Sequence, residues 1–317
     1  MTLDAPVRPK RQLAPPRRLE PAFEDPEGVL ALVRAHAPYR TQEKVHKHPG
    51  VTRTGGWFRN FWALGGRALL DGAERYLNNP RFVDAAKESF GAEVVRPVAM
   101  MTNLNLPMAG LPPHLDLPFF RGCMKREIPA WMLVPMGYSG LFHDWAVPVA
   151  SAITWFYDGD GGEFEYWPDG LDAPSRSERP PYWNHAVLAD NEYMWHRVGP
   201  LGRPDEFVPA DGVPYDAALA LSVDGRWEVR DGETVLSRWP FEKVRLSILW
   251  KAYCFADEAE AQAFEDGSHD LTPEAITRLF LEDLERRGER ADRPESFDDP
   301  AWKATLERVY AAPPLPG

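Results

Sequence analysis

The proline-fenced run Pro112-Pro113-His114-Leu115-Asp116-Leu117-Pro118 constrains this chain more than any other segment. Proline fixes φ, lacks an N–H and disfavours helix at the residue before it, so the run is expected to be extended. In a strand, residues i and i+2 point to one face. His114 and Asp116 can then offer a nitrogen and an oxygen donor to a single ion, while Leu115 faces apolar packing. A second segment, Asn191-Glu192-Tyr193-Met194-Trp195-His196-Arg197-Val198, places His196 80 residues after Asp116 (196 − 116). Two imidazoles and one carboxylate are the donor set of a mononuclear non-haem iron(II) centre with open coordination positions. Such donors meet only where distant strands are neighbours, as in a β-barrel or jelly roll. A His-x-Asp triplet by itself reads equally well as a surface pair, so its surroundings decide its meaning.

Those surroundings are strand-like. Lys243-Val244-Arg245-Leu246-Ser247-Ile248-Leu249-Trp250 alternates, putting Arg245 and Ser247 on one face. Asn103 and Asn105 share a face of the strand that precedes His114. They suit either a ligand contact or the turn chemistry of a strand end. Asp224-Gly225 and Asp231-Gly232 are tight-turn dipeptides flanking Arg226–Arg230, so residues 199–240 read as an insertion carrying a small β-meander. An insertion placed there is expected to contribute to a lid.

With these motifs in this order, the chain resembles the Fe(II)/2-oxoglutarate-dependent oxygenase superfamily over about residues 94–255. The resemblance rests on His114-Leu115-Asp116, on Trp155–Phe164 with its Gly161-Gly162-Glu163 turn, on Asn184–Asn191 leading to His196, and on Arg245-Leu246-Ser247. It implies a double-stranded β-helix (jelly-roll, cupin-like) core. It also implies Fe(II) held by His114, Asp116 and His196, with 2-oxoglutarate and O2 as cosubstrates and succinate and CO2 as products. Arg245 and Ser247 would take the far carboxylate of 2-oxoglutarate, aided by Asn103 and Asn105. In the family this arginine follows the distal histidine closely; here Arg245 lies 49 residues after His196 (245 − 196), while Arg203 sits nearer but between Gly202 and Pro204. Arg245 is preferred for its strand. Halogenating members lack the carboxylate that Asp116 supplies, so the resemblance implies hydroxylation, desaturation or cyclisation of a small molecule such as an amino acid or natural-product intermediate. Two alternatives stay open: a cupin-like metalloenzyme that does not use 2-oxoglutarate, and a non-catalytic β-sandwich binding module.

The rest of the chain sets bounds. A net charge of −12 argues against a nucleic-acid partner. No stretch approaches the ~20 apolar residues of a membrane span. Two cysteines, Cys123 and Cys254, in 317 residues read as free thiols of a cytoplasmic protein, a compartment where Fe(II) persists. A monomer or homodimer is expected. Residues 1–24 read as a mobile Pro/Arg-rich tail before a single catalytic domain over 25–317. That domain would be β-rich α+β, with its core at 93–255 and C-terminal helices within 257–312. Asp25-Pro26, Thr272-Pro273 and Asp299-Pro300 are helix starts, each an N-cap followed by proline at the first helical position. The C-terminal helices are expected to pack on the outside of the barrel, and residues 57–90 to hold one or two further helices. His46-Lys47-His48 has metal-ligand spacing but lies in a loop; His143 and His185 are poor co-ligands.

Overall fold

The computed structural model describes residues 14–48, 50–123 and 128–312. Eight strands build the core: β1 (Val94–Asn105), β2 (Leu111–His114), β3 (Val149–Tyr157), β4 (Phe164–Trp167), β5 (Arg176–Glu178), β6 (Tyr182–Ala189), β7 (Trp195–Val198) and β8 (Arg245–Phe255). They pass back and forth between two antiparallel sheets, except that β4 and β5 form a hairpin within the minor one. The major sheet has the local order β6-β3-β8-β1, and the minor sheet the order β5-β4-β7-β2. This back-and-forth between two facing sheets is the expected jelly roll. Its central strands read as continuous apolar runs because both of their faces are covered. In β3, Val149, Ala150, Ala152, Trp155 and Phe156 are all buried.

The major sheet extends well past the jelly roll. Trp57–Leu64 pairs with β1, Tyr39–Thr41 with Trp57–Leu64, and the meander Ala218–Leu221, Trp227–Asp231, Thr234–Trp239 continues the edge. Residues 57–64 are therefore strand, not helix. Their aromatic and apolar side chains suit a pleated, half-buried surface, and the helical pattern begins only at Glu74–Leu77 and Pro80–Phe90. The meander forms as expected, with Gly225 and Gly232 at positive φ in its turns. It lies at the far edge of the sheet, and none of its strands lines the cavity described below, whereas Leu201, at the start of the same insertion, does.

Helices Pro26–Ala35 and Pro80–Phe90 start at the caps Asp25 and Asn79 and cover the outer face of the major sheet. Phe82 packs at 5.4 Å against Trp250, whose indole N–H donates to Leu77 O at 2.7 Å. Full burial of such a ring contributes about 1.5–3 kcal/mol. The tail is structured from residue 14: Arg17–Leu19 pairs with β6, and Phe23 is buried. The part of that expectation covering residues 1–13 lies outside the described residues. Helices Pro273–Arg286 and Pro300–Val309 form where expected but do not lie on the sheets. They share a separate apolar core with Phe120, Cys123, Met132, Met136 and Phe142, through Phe280, Leu284, Trp302 and Leu306. Both cysteines are buried, and neither is in a disulfide.

Candidate metal centre

His114 closes β2, an edge strand, where the missing N–H groups of Pro112 and Pro113 are tolerated. Across the ladder its partner is His196 in β7. Directly opposed residues of an antiparallel pair share a face, and the two imidazoles lie 4.4 Å apart between ring centroids. Each ring is fixed by a carbonyl two residues before it. His114 Nδ1 lies 2.8 Å from Pro112 O, and His196 Nδ1 lies 2.9 Å from Met194 O. A carbonyl can only accept, so Nδ1 carries the proton in both rings and each Nε2 lone pair is left for a cation.

Asp116 reaches the same point by a different route from the one expected. β2 ends at His114, and Asp116 lies just beyond the strand, with its N–H donating to Asn191 O at 2.9 Å. Its Oδ2 accepts from Lys251 Nζ at 2.7 Å, and its Oδ1 lies 3.7 Å from His196 Nε2. One donor atom from each of His114, Asp116 and His196 falls within 4.8 Å of the others. Burial alone would lift the Asp116 carboxyl, but the Lys251 ammonium and the two imidazoles outweigh it and hold the group well below the usual carboxylate range. Burial pushes the His196 imidazole down to about 4, Asp116 opposing, so it is neutral at physiological pH. An ionised carboxylate beside two imidazole nitrogens fits a divalent cation.

The facing wall of the same cavity, of about 110 Å³, belongs to the major sheet. Arg245 and Ser247 of β8 pair across the ladder with Asn105 and Asn103 of β1, and all four line the cavity. Arg245 is buried beneath Trp155 and Tyr182, each ring centroid 5.9 Å from its guanidinium carbon. Its Nε donates to Gly162 O at 3.0 Å, while Nη2 is buried with no acceptor among the described residues. A buried donor left this way costs about 1–3 kcal/mol unless a ligand satisfies it. Gly162, at φ +74°, makes room for this: a Cβ there would stand 3.0 Å from Arg245 Cδ and 2.8 Å from Leu201 Cδ1. Arg203 is exposed and paired with Asp205 and Glu206, outside the cavity.

The chain is similar in fold to oxygenase structures. An oxidoreductase of the 2OG-Fe(II) oxygenase family from Burkholderia pseudomallei is 13% identical, with 76% of this chain and 86% of that chain covered and a TM-score of 0.39. A Pseudomonas putida prolyl-4-hydroxylase is 15% identical, covering 78% and 95%, at a TM-score of 0.40. HygX from Streptomyces hygroscopicus, with nickel, 2-oxoglutarate and hygromycin B bound, is 11% identical, covering 75% and 82%, at 0.39. No family model matches the chain, and no curated protein matches it. At such identities function is decided by side chains in the site, not by likeness of fold.

Three residues of this site escape the sequence patterns. Trp57 and Arg59 line the cavity from the strand that joins β1 on its outer side. Lys251 follows Arg245, Ser247 and Leu249 on the inward face of β8, a continuation of the same alternation that could have flagged it. His46 and His48 stack on each other at 6.0 Å, away from the triad, and His46 Nε2 lies 2.7 Å from Arg59 Nη1. His185 lies 3.6 Å from Glu178 and is not a ligand.

Proposed function

We propose that this protein is a non-haem iron(II)- and 2-oxoglutarate-dependent oxygenase acting on a small molecule, with hydroxylation as the default outcome. The observation that carries this is the pairing of two features in one cavity. His114, Asp116 and His196 converge on one wall, and the buried, incompletely paired Arg245 guanidinium stands on the other.

In this reading His114 Nε2, His196 Nε2 and an Asp116 oxygen hold the iron. When bound, the iron supplies the redox chemistry that couples the decarboxylation of 2-oxoglutarate by O2 to oxidation of the substrate, with release of succinate and CO2. The chain's own residues position and shield. Arg245 offers its planar fork to the far carboxylate of 2-oxoglutarate, with Ser247 donating one more hydrogen bond. Trp155, Tyr182 and Leu201 close around that end and keep water from competing for the guanidinium. Lys251 fixes the Asp116 oxygen it holds, leaving the other to face the histidines.

The test is turnover of 2-oxoglutarate to succinate in air. Succinate should form only with Fe(II) and should be lost in His114→Ala and Asp116→Ala. Formation at the wild-type rate in both variants overturns the reading. A chain that binds metal but neither binds nor consumes 2-oxoglutarate would instead be a cupin-like metalloenzyme.

A further inference from the structure

A second arginine faces this cavity, and the proposed cosubstrate does not account for it. Arg59 sits on Trp57–Leu64, is only 9% exposed and lines the cavity together with Trp57 and Asn103. Its place follows from register: Arg59 pairs with Asn103, and Asn103 pairs with Ser247. Arg59 therefore stands two strands from the Arg245–Ser247 seat, about 10 Å away at the usual strand spacing. Three contacts fix its guanidinium. Nε donates to Asn103 Oδ1 at 2.6 Å, Nη1 to His46 Nε2 at 2.7 Å, and the group lies over the Trp57 ring at 5.0 Å. Asn103 Oδ1 is itself held by the Trp57 indole N–H at 3.1 Å. Arginine can only donate, so His46 accepts here as a neutral ring, and the remaining guanidinium N–H groups have no hydrogen-bond acceptor among the described residues.

No described carboxylate comes within 4.0 Å of Arg59. Its electrostatic neighbours are Asp116 and Glu43, and neither is an ion-pair partner. Burial pushes the guanidinium down to about 10, so it stays charged at neutral pH. Keeping an unpaired cation out of water costs several kcal/mol. The other cations of the cavity have counterparts: Lys251 has Asp116, and Arg245 has the far carboxylate of 2-oxoglutarate in the reading above.

We propose that Arg59 binds a carboxylate of the primary substrate, so that the oxidised compound is a small organic acid held between Arg59 and the metal centre. This rests on the oxygenase reading. The planar fork matches a carboxylate, and none of the described carboxylates, Glu43 and Asp116 included, makes an ion pair with it. A phosphate monoester, which carries about −1.5 to −2 at neutral pH, would overfill the site.

The test uses full-length protein loaded with Zn(II), which does not turn over, and saturated with 2-oxoglutarate. The probe is sodium acetate, against equal sodium chloride and against acetamide, read as melting temperature. Acetate should raise the wild-type Tm beyond chloride, and acetamide should not. The increment should vanish in Arg59→Gln and survive in part in Arg59→Lys. Calorimetry on the Zn(II)-loaded proteins before 2-oxoglutarate is added should give a 2-oxoglutarate Kd within about twofold of wild type in both variants, which also shows that they fold; twofold is about 0.4 kcal/mol. An acetate effect that is absent from wild type or unchanged in Arg59→Gln overturns the inference, as does methyl phosphate outperforming acetate. Loss of 2-oxoglutarate binding in Arg59→Gln would assign Arg59 to the cosubstrate instead. Failure of wild-type protein to bind 2-oxoglutarate would sink the oxygenase reading itself.

Discussion

The two walls of the cavity are built on opposite plans. The minor-sheet wall is made of short strands, and its histidines stand on four-residue segments, β2 and β7, each ring tied to its own backbone two residues away. The major-sheet wall is made of long, buried strands, and its polar groups, Arg245, Ser247, Asn103 and Lys251, come from the twelve residues of β1 and the eleven of β8. Short strands with local anchors give nitrogen donors fixed in orientation. Long central strands, covered on both faces, can hold cations away from water where the ladder on each side keeps them from relaxing. The minor wall presents donors suited to a cation, and the major wall presents cationic and hydrogen-bonding groups suited to an anion; Lys251, reaching across to Asp116, is the link between them.

That division can be broken by substitution. The largest effect belongs to the minor wall. Replacing His196 or Asp116 by Ala removes several kcal/mol of metal binding, roughly a 10³-fold loss in Fe(II) affinity and in turnover, read by anaerobic metal titration. A retained affinity would show that the cation sits elsewhere. On the major wall, Arg245→Met should weaken 2-oxoglutarate binding by about 2–5 kcal/mol, at least ~30-fold, with Fe(II) affinity unchanged by calorimetry. A matching loss of metal would mean that the walls are not separable. Lys251→Met should fall between the two classes. Metal affinity should drop ~10–100-fold, as for other groups that orient a ligand, while 2-oxoglutarate affinity of the metal-saturated protein holds. Ser247→Ala should be smallest, about 1 kcal/mol in 2-oxoglutarate affinity, and its failure to shift Kd at all would remove the serine from the seat.

The two walls also differed in how readily they could be read from sequence. Asn103, Asn105, Arg245 and Ser247 were legible because alternation in a long strand fixes which side chains share a face, and the ladder then made them cross-strand pairs. The convergence of His114 with His196 required knowing that β2 and β7 are neighbours, which no local pattern encodes; motif order supplied it. Asp116 was found for a reason that proved incomplete. Strand alternation predicts its direction, yet it lies past the strand end and is aimed by Asn191 and Lys251, both distant in sequence. Arg59 escapes a reading that groups residues 57–64 with the helices that follow. Gly55-Gly56 before a Trp-Phe-Arg-Asn-Phe-Trp run was the strand signal available. The C-terminal helices were placed by their caps, but their partner, the segment containing Phe120 to Phe142, carries no periodicity that announces it.

The most direct measurement is an anaerobic titration of the apoprotein with Fe(II) and then 2-oxoglutarate, followed by visible absorption. A metal-to-ligand charge-transfer band should grow to saturation at one iron and one 2-oxoglutarate per chain, and should be absent in His196→Ala. No band in the wild-type protein, or an undiminished band in that variant, would contradict a single cation held by His114, Asp116 and His196 opposite Arg245.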